Sequence, residues 1–229
     1  KLVMYPSQAV ETWWDCTNPM PEVAGLRAIT ARLLALPNTL TPAAARAYWK
    51  GFAAKLPPLP LRDIEGAKAM APAGVYAAKK NCENPELYSV FPFRLCSFEK
   101  ENCQQGVLAL EHRWNRGAFG WRQDDIFMAY LGLADEARDF VIKRARNVHK
   151  GSRFPVFWGP NYDWIPDQDH GGVLMKTTQS MLLQTDPITR KIYLLPAWPD
   201  AWHCDFKLHA PYRTVISGRV KNGEVADLK

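Results

Sequence analysis

No CxxC pair occurs in the sequence, and its five cysteines are Cys16, Cys82, Cys96, Cys103 and Cys204. That pattern excludes a zinc ribbon and a dithiol redox motif; one disulfide is possible, but no pairing can be assigned. No apolar run approaches the roughly 20 residues of a membrane-spanning helix. His112, His149, His203 and His209 are scattered, and no His/Asp/Glu group has metal-ligand spacing, so neither a metal nor another cofactor is expected. Positive charge is present but not concentrated. The net charge is +6, yet the basic stretch Lys143, Arg144, Arg146, His149, Lys150 and Arg153 reads as the end of an exposed helix. Cations there complement the helix dipole, and a nucleic-acid partner is not expected. No secretory signal is visible, but the chain opens abruptly on a strand-like Leu2-Val-Met-Tyr5, which reads as the middle of a protein.

What the chain has instead is a hydrophobic content of 47%, ample for a core, and nine tryptophans. Several tryptophans lie in loop-like blocks beside acids. The blocks are Tyr5-Pro-Ser-Gln-Ala-Val-Glu-Thr-Trp-Trp-Asp15, Asn81-Cys-Glu-Asn-Pro-Glu-Leu-Tyr88, Gly120-Trp-Arg-Gln-Asp-Asp125 and Phe157-Trp-Gly-Pro-Asn-Tyr-Asp-Trp-Ile-Pro-Asp-Gln-Asp-His-Gly-Gly172. Carboxylates beside indole faces suit carbohydrate cleavage. Acids move protons at the glycosidic bond, and indoles pack against the apolar faces of sugar rings.

Apolar residues at Val23, Leu26, Ile29, Leu33 and Leu36 predict a helix over 21–36 that stops at Pro37. Thr41-Pro42 opens a second helix through about Lys55. A proline-rich connector follows at 56–61, then an irregular 63–72 with a short strand and a short helix over 85–95 interrupted by Pro92. Further helices are expected near 104–114, 121–133, 135–148 and 172–184. After Asp186 the pattern changes to short alternating runs, with Asn222-Gly223 as the clearest hairpin turn. The expected fold is therefore mainly α. Residues 1–186 are expected to form the C-terminal part of an (α/α)6 catalytic toroid, and residues 187–229 a small antiparallel β-domain.

The blocks, in their order, resemble the catalytic half of glycoside hydrolase family 95, the inverting α-L-fucosidases. Leu2-Val-Met-Tyr-Pro-Ser-Gln-Ala-Val-Glu11-Thr12 resembles the family's Leu-Val-x-x-Pro-Ser-x-Ser-Pro-Glu-Asn. Glu86-Leu-Tyr-Ser-Val-Phe-Pro92, Gly120-Trp-Arg-Gln-Asp-Asp125 and Pro166-Asp167-Gln-Asp-His-Gly171-Gly172 resemble three further family blocks. Met181-Leu-Leu-Gln184 and Leu194-Leu-Pro-Ala-Trp-Pro199 resemble two more. The likeness spans nearly the whole chain. It departs at Glu86, where the family has His, at Thr12, and at the aspartates Asp124, Asp125 and Asp169, so the sugar need not be fucose. The family's Asn-x-Asn block is absent and is expected in a missing N-terminal half, the implied protein partner. The resemblance implies an inverting exo-glycosidase acting on a terminal sugar of an oligo- or polysaccharide, secreted or periplasmic. Its rivals are a phosphorylase, a non-catalytic carbohydrate-binding protein on the same scaffold and, more weakly, a structural module of a larger assembly.

Inversion uses a carboxylic acid and a carboxylate about 6.5–9.5 Å apart, the second activating water. Glu11 is expected to be the acid, because its flanks Val10 and Trp13 suggest an apolar setting that keeps a carboxyl protonated. Without the resemblance, a surface or capping Glu is the better reading. Asp167 is expected to be the base, ahead of Asp169 and Asp163. Glu83, Asn84 and Glu86 either bond sugar hydroxyls or cap the helix near Pro85. Trp121 and Arg122 begin a helix; Arg122 forks onto a sugar hydroxyl or a carboxylate, or else forms a buried ion pair. Of Asp124 and Asp125, only one need face substrate, and Asp125 is taken as that residue. Trp158 and Trp164 are stacking candidates, with one of Trp13 and Trp14. Asp169 and His170 complete the binding set, His170 alternatively being a satisfied structural residue. An Asp167→Asn variant is expected to abolish turnover with little loss of stability; activity equal to that of the unmodified chain in a glycoside assay would remove Asp167 from its role.

Overall fold

The computed structural model describes residues 1–151 and 168–229, which divide into two units, Lys1–Asn115 and Arg116–Lys229. In the first unit, strand β1 (Ser7–Ala9) pairs antiparallel with β2 (Trp13–Pro19), Ala9 facing Trp13 and Ser7 facing Cys16. The other edge of β2 carries β5 (Ala73–Val75) and β6 (Ala78–Lys79). Pro19 ends the strand and caps helix α1 (Met20–Leu34), with Pro21 in its first turn, where a missing N–H costs nothing. Gly25 is a poor helix residue, but a Cβ there would lie 3.0 Å from the Phe93 ring, so its absence admits that ring. Helix α2 (Ala43–Lys55) starts after Thr41-Pro42, as its sequence predicts.

Strands β3 (Leu61–Ile64) and β4 (Ala67–Met70) form a hairpin where an irregular segment with one strand was expected. Glu65 and Gly66 both have positive φ, 50° and 85°, which is the two-residue turn whose twist matches paired strands. Glu-Gly is a weaker signal of that turn than Asn-Gly. Instead of the helix expected over 85–95, one 3-10 turn, Pro85–Leu87, is followed by further turns. Helix α3 (Cys103–Glu111) packs on β4, and α1 packs on the 3-10 turn. The interior includes Trp13, Cys16, Met20, Val23, Met70, Leu87, Val90 and Cys96.

In the second unit, helices α4 (Asp124–Tyr130), α5 (Ala134–Arg146) and α6 (Asp169–Leu182) pack on one another. Ile126, Phe127, Ala129, Ala137, Val141, Val173 and Met181 are buried there. Helix α6 runs directly into β7 (Leu183–Asp186), which pairs with β8 (Lys191–Leu194). The expected domain boundary after Asp186 thus falls in the turn of one hairpin. A meander of β9 (Cys204–Ala210), β10 (Thr214–Lys221) and β11 (Glu224–Ala226) follows. Asn222-Gly223 makes its second turn, with φ of 52° and 74°.

The expectation of a mainly α chain forming part of an (α/α)6 toroid is overturned. The described residues hold six α-helices and eleven strands, the latter in small antiparallel sheets. The helices are 7 to 15 residues long. Four strands separate α2 from α3, so successive helices do not form a ring of hairpins. None of the described helices is long and apolar enough to cross a membrane.

None of the five cysteines is in a disulfide. Cys96 is buried, and its thiol donates to the Asn102 carbonyl oxygen at 3.2 Å. Burial, and then the neighbouring Cys103, push that thiol up to about 12. Burial likewise pushes the Tyr88 phenol up to about 12, with the charges of Glu83 and Glu22 adding to it. Above pH ~9 the unfolded thiol ionises while the folded one keeps its proton, so the folded state binds more protons and stability falls as pH rises. The slope from Cys96 is up to about 1.4 kcal/mol per pH unit until its folded value is reached, and Tyr88 adds to it above pH ~10. Urea unfolding between pH 8 and 11 is expected to show this loss, with Cys96→Ala flattening it; identical slopes in the two proteins would refute it.

Candidate functional site

The tip of the β1–β2 hairpin places the expected acid. Val10, Glu11 and Thr12 reverse the chain, and Val10 has φ 47°, an outlier for a β-branched residue. Glu11 is exposed. The apolar enclosure expected from Val10 and Trp13 is absent, because Trp13 turns into the core at 5% exposure. The Glu11 Oε2 atom accepts a hydrogen bond from Asn81 Nδ2 at 3.1 Å, and Asn81 Oδ1 accepts the Cys82 N–H at 2.9 Å.

Strand alternation separates the two tryptophans. Trp13 packs edge-on against Tyr76 and Trp114, with ring centroids 5.1 and 5.0 Å away. Trp14 is 49% exposed, and its indole N–H donates to the Glu11 carbonyl oxygen at 3.0 Å. An exposed indole and an exposed glutamate therefore share one short hairpin.

The second acidic block underpins this tip. Glu83 Oε2 accepts the Glu11 N–H at 2.9 Å and the Thr12 hydroxyl at 2.8 Å, while the Glu83 N–H donates to Thr12 Oγ1 at 2.9 Å. Asn84 exchanges hydrogen bonds with the Asn115 backbone, its Nδ2 donating to Asn115 O and its Oδ1 accepting the Asn115 N–H. Glu86 is fully buried within the 3-10 turn. Of the three expected sugar ligands, Glu83 and Asn84 are thus engaged by backbone, and Glu86 is closed off from solvent.

In the second unit, Asp125 is not offered to solvent. It forms a fully buried ion pair with Arg144, whose Nε donates to Asp125 Oδ2 at 2.8 Å and whose Nη2 donates to Oδ1 at 3.0 Å. The same guanidinium donates to the carbonyls of Gly120 at 2.8 Å and Arg122 at 2.6 Å. Arg144 does not belong to an exposed helix end, as the basic stretch suggests; it is fully buried. The overlooked signal is its spacing. Ala137, Val141 and Arg144 form the buried stripe of α5, so Arg144 occupies a core position.

His170 is also buried. Its Nδ1 accepts the Gly120 N–H at 3.1 Å, and its Nε2 lies 2.9 Å from the Arg144 carbonyl oxygen. Only a neutral ring protonated at Nε2 satisfies both, so His170 has a structural role here rather than a solvent-facing one. Arg122 is buried, with its guanidinium carbon 5.7 Å from the centre of the half-buried Trp121 ring. Asp169 is exposed in the first turn of α6, which begins three residues before the expected start. Asp163, Asp167, Trp158 and Trp164 lie outside the described residues. Among the described residues, no group of three His, Cys, Asp or Glu side chains is placed to hold a metal ion.

No family model and no curated protein matches the chain. The likeness to family 95 therefore rests on the quoted blocks alone. Two of these blocks have structural work in the second unit. The Gln184 amide donates to the carbonyls of Ala129 and Ser180, and the Ala197 N–H donates to the Met181 carbonyl.

Breaking a fully buried ion pair leaves an uncompensated charge, at a cost of about 3–5 kcal/mol. Asp125→Asn and Arg144→Met are each expected to destabilise the fold by that amount in urea unfolding. Asp139→Asn, at an exposed ion pair with Arg138, is expected to change little. If Asp125→Asn kept full stability, Asp125 would return to the pool of ligand residues.

Proposed function

We propose that this chain is part of a glycoside hydrolase that cleaves a terminal sugar with inversion, Glu11 acting as the proton donor. The observation that supports this is the hairpin tip, where Glu11 and Trp14 are both exposed and are linked by the indole-to-carbonyl hydrogen bond at 3.0 Å. An indole face packs on the C–H face of a sugar. It would seat the ring beside a carboxyl that Asn81 orients from one oxygen.

In the proposed reaction, Glu11 gives its proton to the glycosidic oxygen as the bond from that oxygen to the anomeric carbon breaks. Water attacks the same carbon from the opposite face and loses a proton to the base. Asp167 keeps the role of base in this proposal, on the strength of the motif resemblance. A second reading is a carbohydrate-binding protein without catalysis. It is favoured by the exposure of Glu11, which lacks the apolar shelter that commonly keeps a donor carboxyl protonated at neutral pH.

The test is turnover of a panel of aryl-glycosides and oligosaccharides, with the anomeric form of the released sugar followed by NMR. Glu11→Gln is expected to lower kcat about 100- to 10 000-fold with an unchanged fold. Trp14→Ala is expected mainly to weaken sugar binding. Binding of a sugar that Trp14→Ala abolishes, without turnover by the unmodified chain, would replace hydrolysis by the binding reading. No binding and no turnover would remove both.

A further inference from the structure

Val10 holds a left-handed conformation that a β-branched side chain avoids. A free hairpin tip would relax out of it, so other contacts must impose the turn. Three of them involve Glu83, 72 residues beyond Glu11 in the chain. Its Oε2 collects the Glu11 N–H and the Thr12 hydroxyl, and its own N–H reaches back to Thr12 Oγ1. The Thr12 hydroxyl donates through its one proton and accepts through a lone pair, so the exchange is chemically complete. The Lys80 N–H adds a bond to the Thr12 carbonyl at 2.7 Å, and Thr12 itself is fully buried.

This clamp sets the orientation of two exposed groups. Fixing the Glu11 N–H fixes the backbone from which its carboxyl projects. The Glu11 carbonyl in turn receives the Trp14 indole N–H, so the platform is referenced to the same residue through its following peptide. Glu83 Oε2 already accepts two hydrogen bonds from protein groups, which is the normal capacity of one carboxylate oxygen. A side chain used in this way supports the site from beneath rather than meeting the sugar with that oxygen.

We infer that Glu83 is the positioning residue for Glu11 and Trp14, a carboxylate that holds the strained tip in its working shape. The catalytic consequence rests on the hydrolase reading above; the conformational one does not. Misplacing a catalytic group by about 1 Å costs on the order of 100-fold in rate, which is the scale of loss expected when the turn is released.

The experiment compares Glu83→Ala, Glu83→Gln and Thr12→Val in the full chain, reading kcat, KM and hydrogen exchange at the Glu11 amide. Glu83→Ala is expected to lose about 100-fold in kcat, with KM within about threefold, and to expose the Glu11 amide to fast exchange. Glu83→Gln keeps an amide oxygen that accepts the same two protons, so it retains kcat within about fivefold and keeps the amide protected. Thr12→Val, which removes only the hydroxyl link, falls between them and serves if Glu83→Ala does not fold. A Gln variant as inactive as the Ala variant would overturn the inference, because charge at the substrate would then be the role. So would a loss carried by KM, or a Glu11 amide equally protected in all three variants. If the unmodified chain turns over no glycoside, the hydrolase reading fails alone, and amide exchange still decides whether Glu83 holds the tip.

Discussion

A charged side chain taken out of water must have its polar atoms matched, and each unit of this protein is organised around meeting that demand. In the second unit the charge is the Arg144 guanidinium, with no exposed surface. Its donors go to Asp125 at the start of α4 and to the carbonyls of Gly120 and Arg122 in the preceding turn. Its own carbonyl lies against His170 of α6, whose other nitrogen receives the Gly120 N–H. One cation thereby ties α5 to a glycine-containing turn, to α4 and to α6. In a low-dielectric interior such a network is stable only when complete.

The first unit meets the demand with the opposite sign and nearer the surface. Glu83 accepts two hydrogen bonds from the hairpin tip and donates one back through its N–H. What distinguishes this clamp from the Arg144 network is what it leaves outside. Arg144, Asp125 and His170 are enclosed, whereas the groups set by Glu83 are the exposed Glu11 carboxylate and the exposed Trp14 ring. Packing edge-on against Tyr76 and Trp114 buries Trp13 beneath them, so a stiff base supports the exposed pair. A rigid scaffold presenting a loop residue in a strained conformation is a familiar setting for ligand contact.

The legible parts of the sequence were those whose cause is local. Pro21 in the first turn of α1, Thr41-Pro42 before α2 and Asn222-Gly223 between β10 and β11 act within a few residues, and each marks an element found close to where it was expected. The hairpin β3–β4 was harder to read, because Glu65-Gly66 is a less specific turn pair and its strands are only four residues long. The toroid expectation failed for a related reason. Helical periodicity locates single helices but does not say what covers their faces, and here a strand, β4, lies against α3.

The sequence by itself determined where α1 and α2 begin, the Asn222-Gly223 turn, the absence of paired-cysteine motifs and the placing of acids beside tryptophans. Only the tertiary structure decided which of those acids meet solvent. Glu11 and Glu83 are 72 residues apart and Asp125 and Arg144 are 19 apart, so no local pattern links them. Identical carboxylates are driven to different roles by the donors that folding brings to them. Glu83 and Asp125 are occupied by protein hydrogens, and Glu11 is left facing water because its flanking Trp13 found a better-packed place inside.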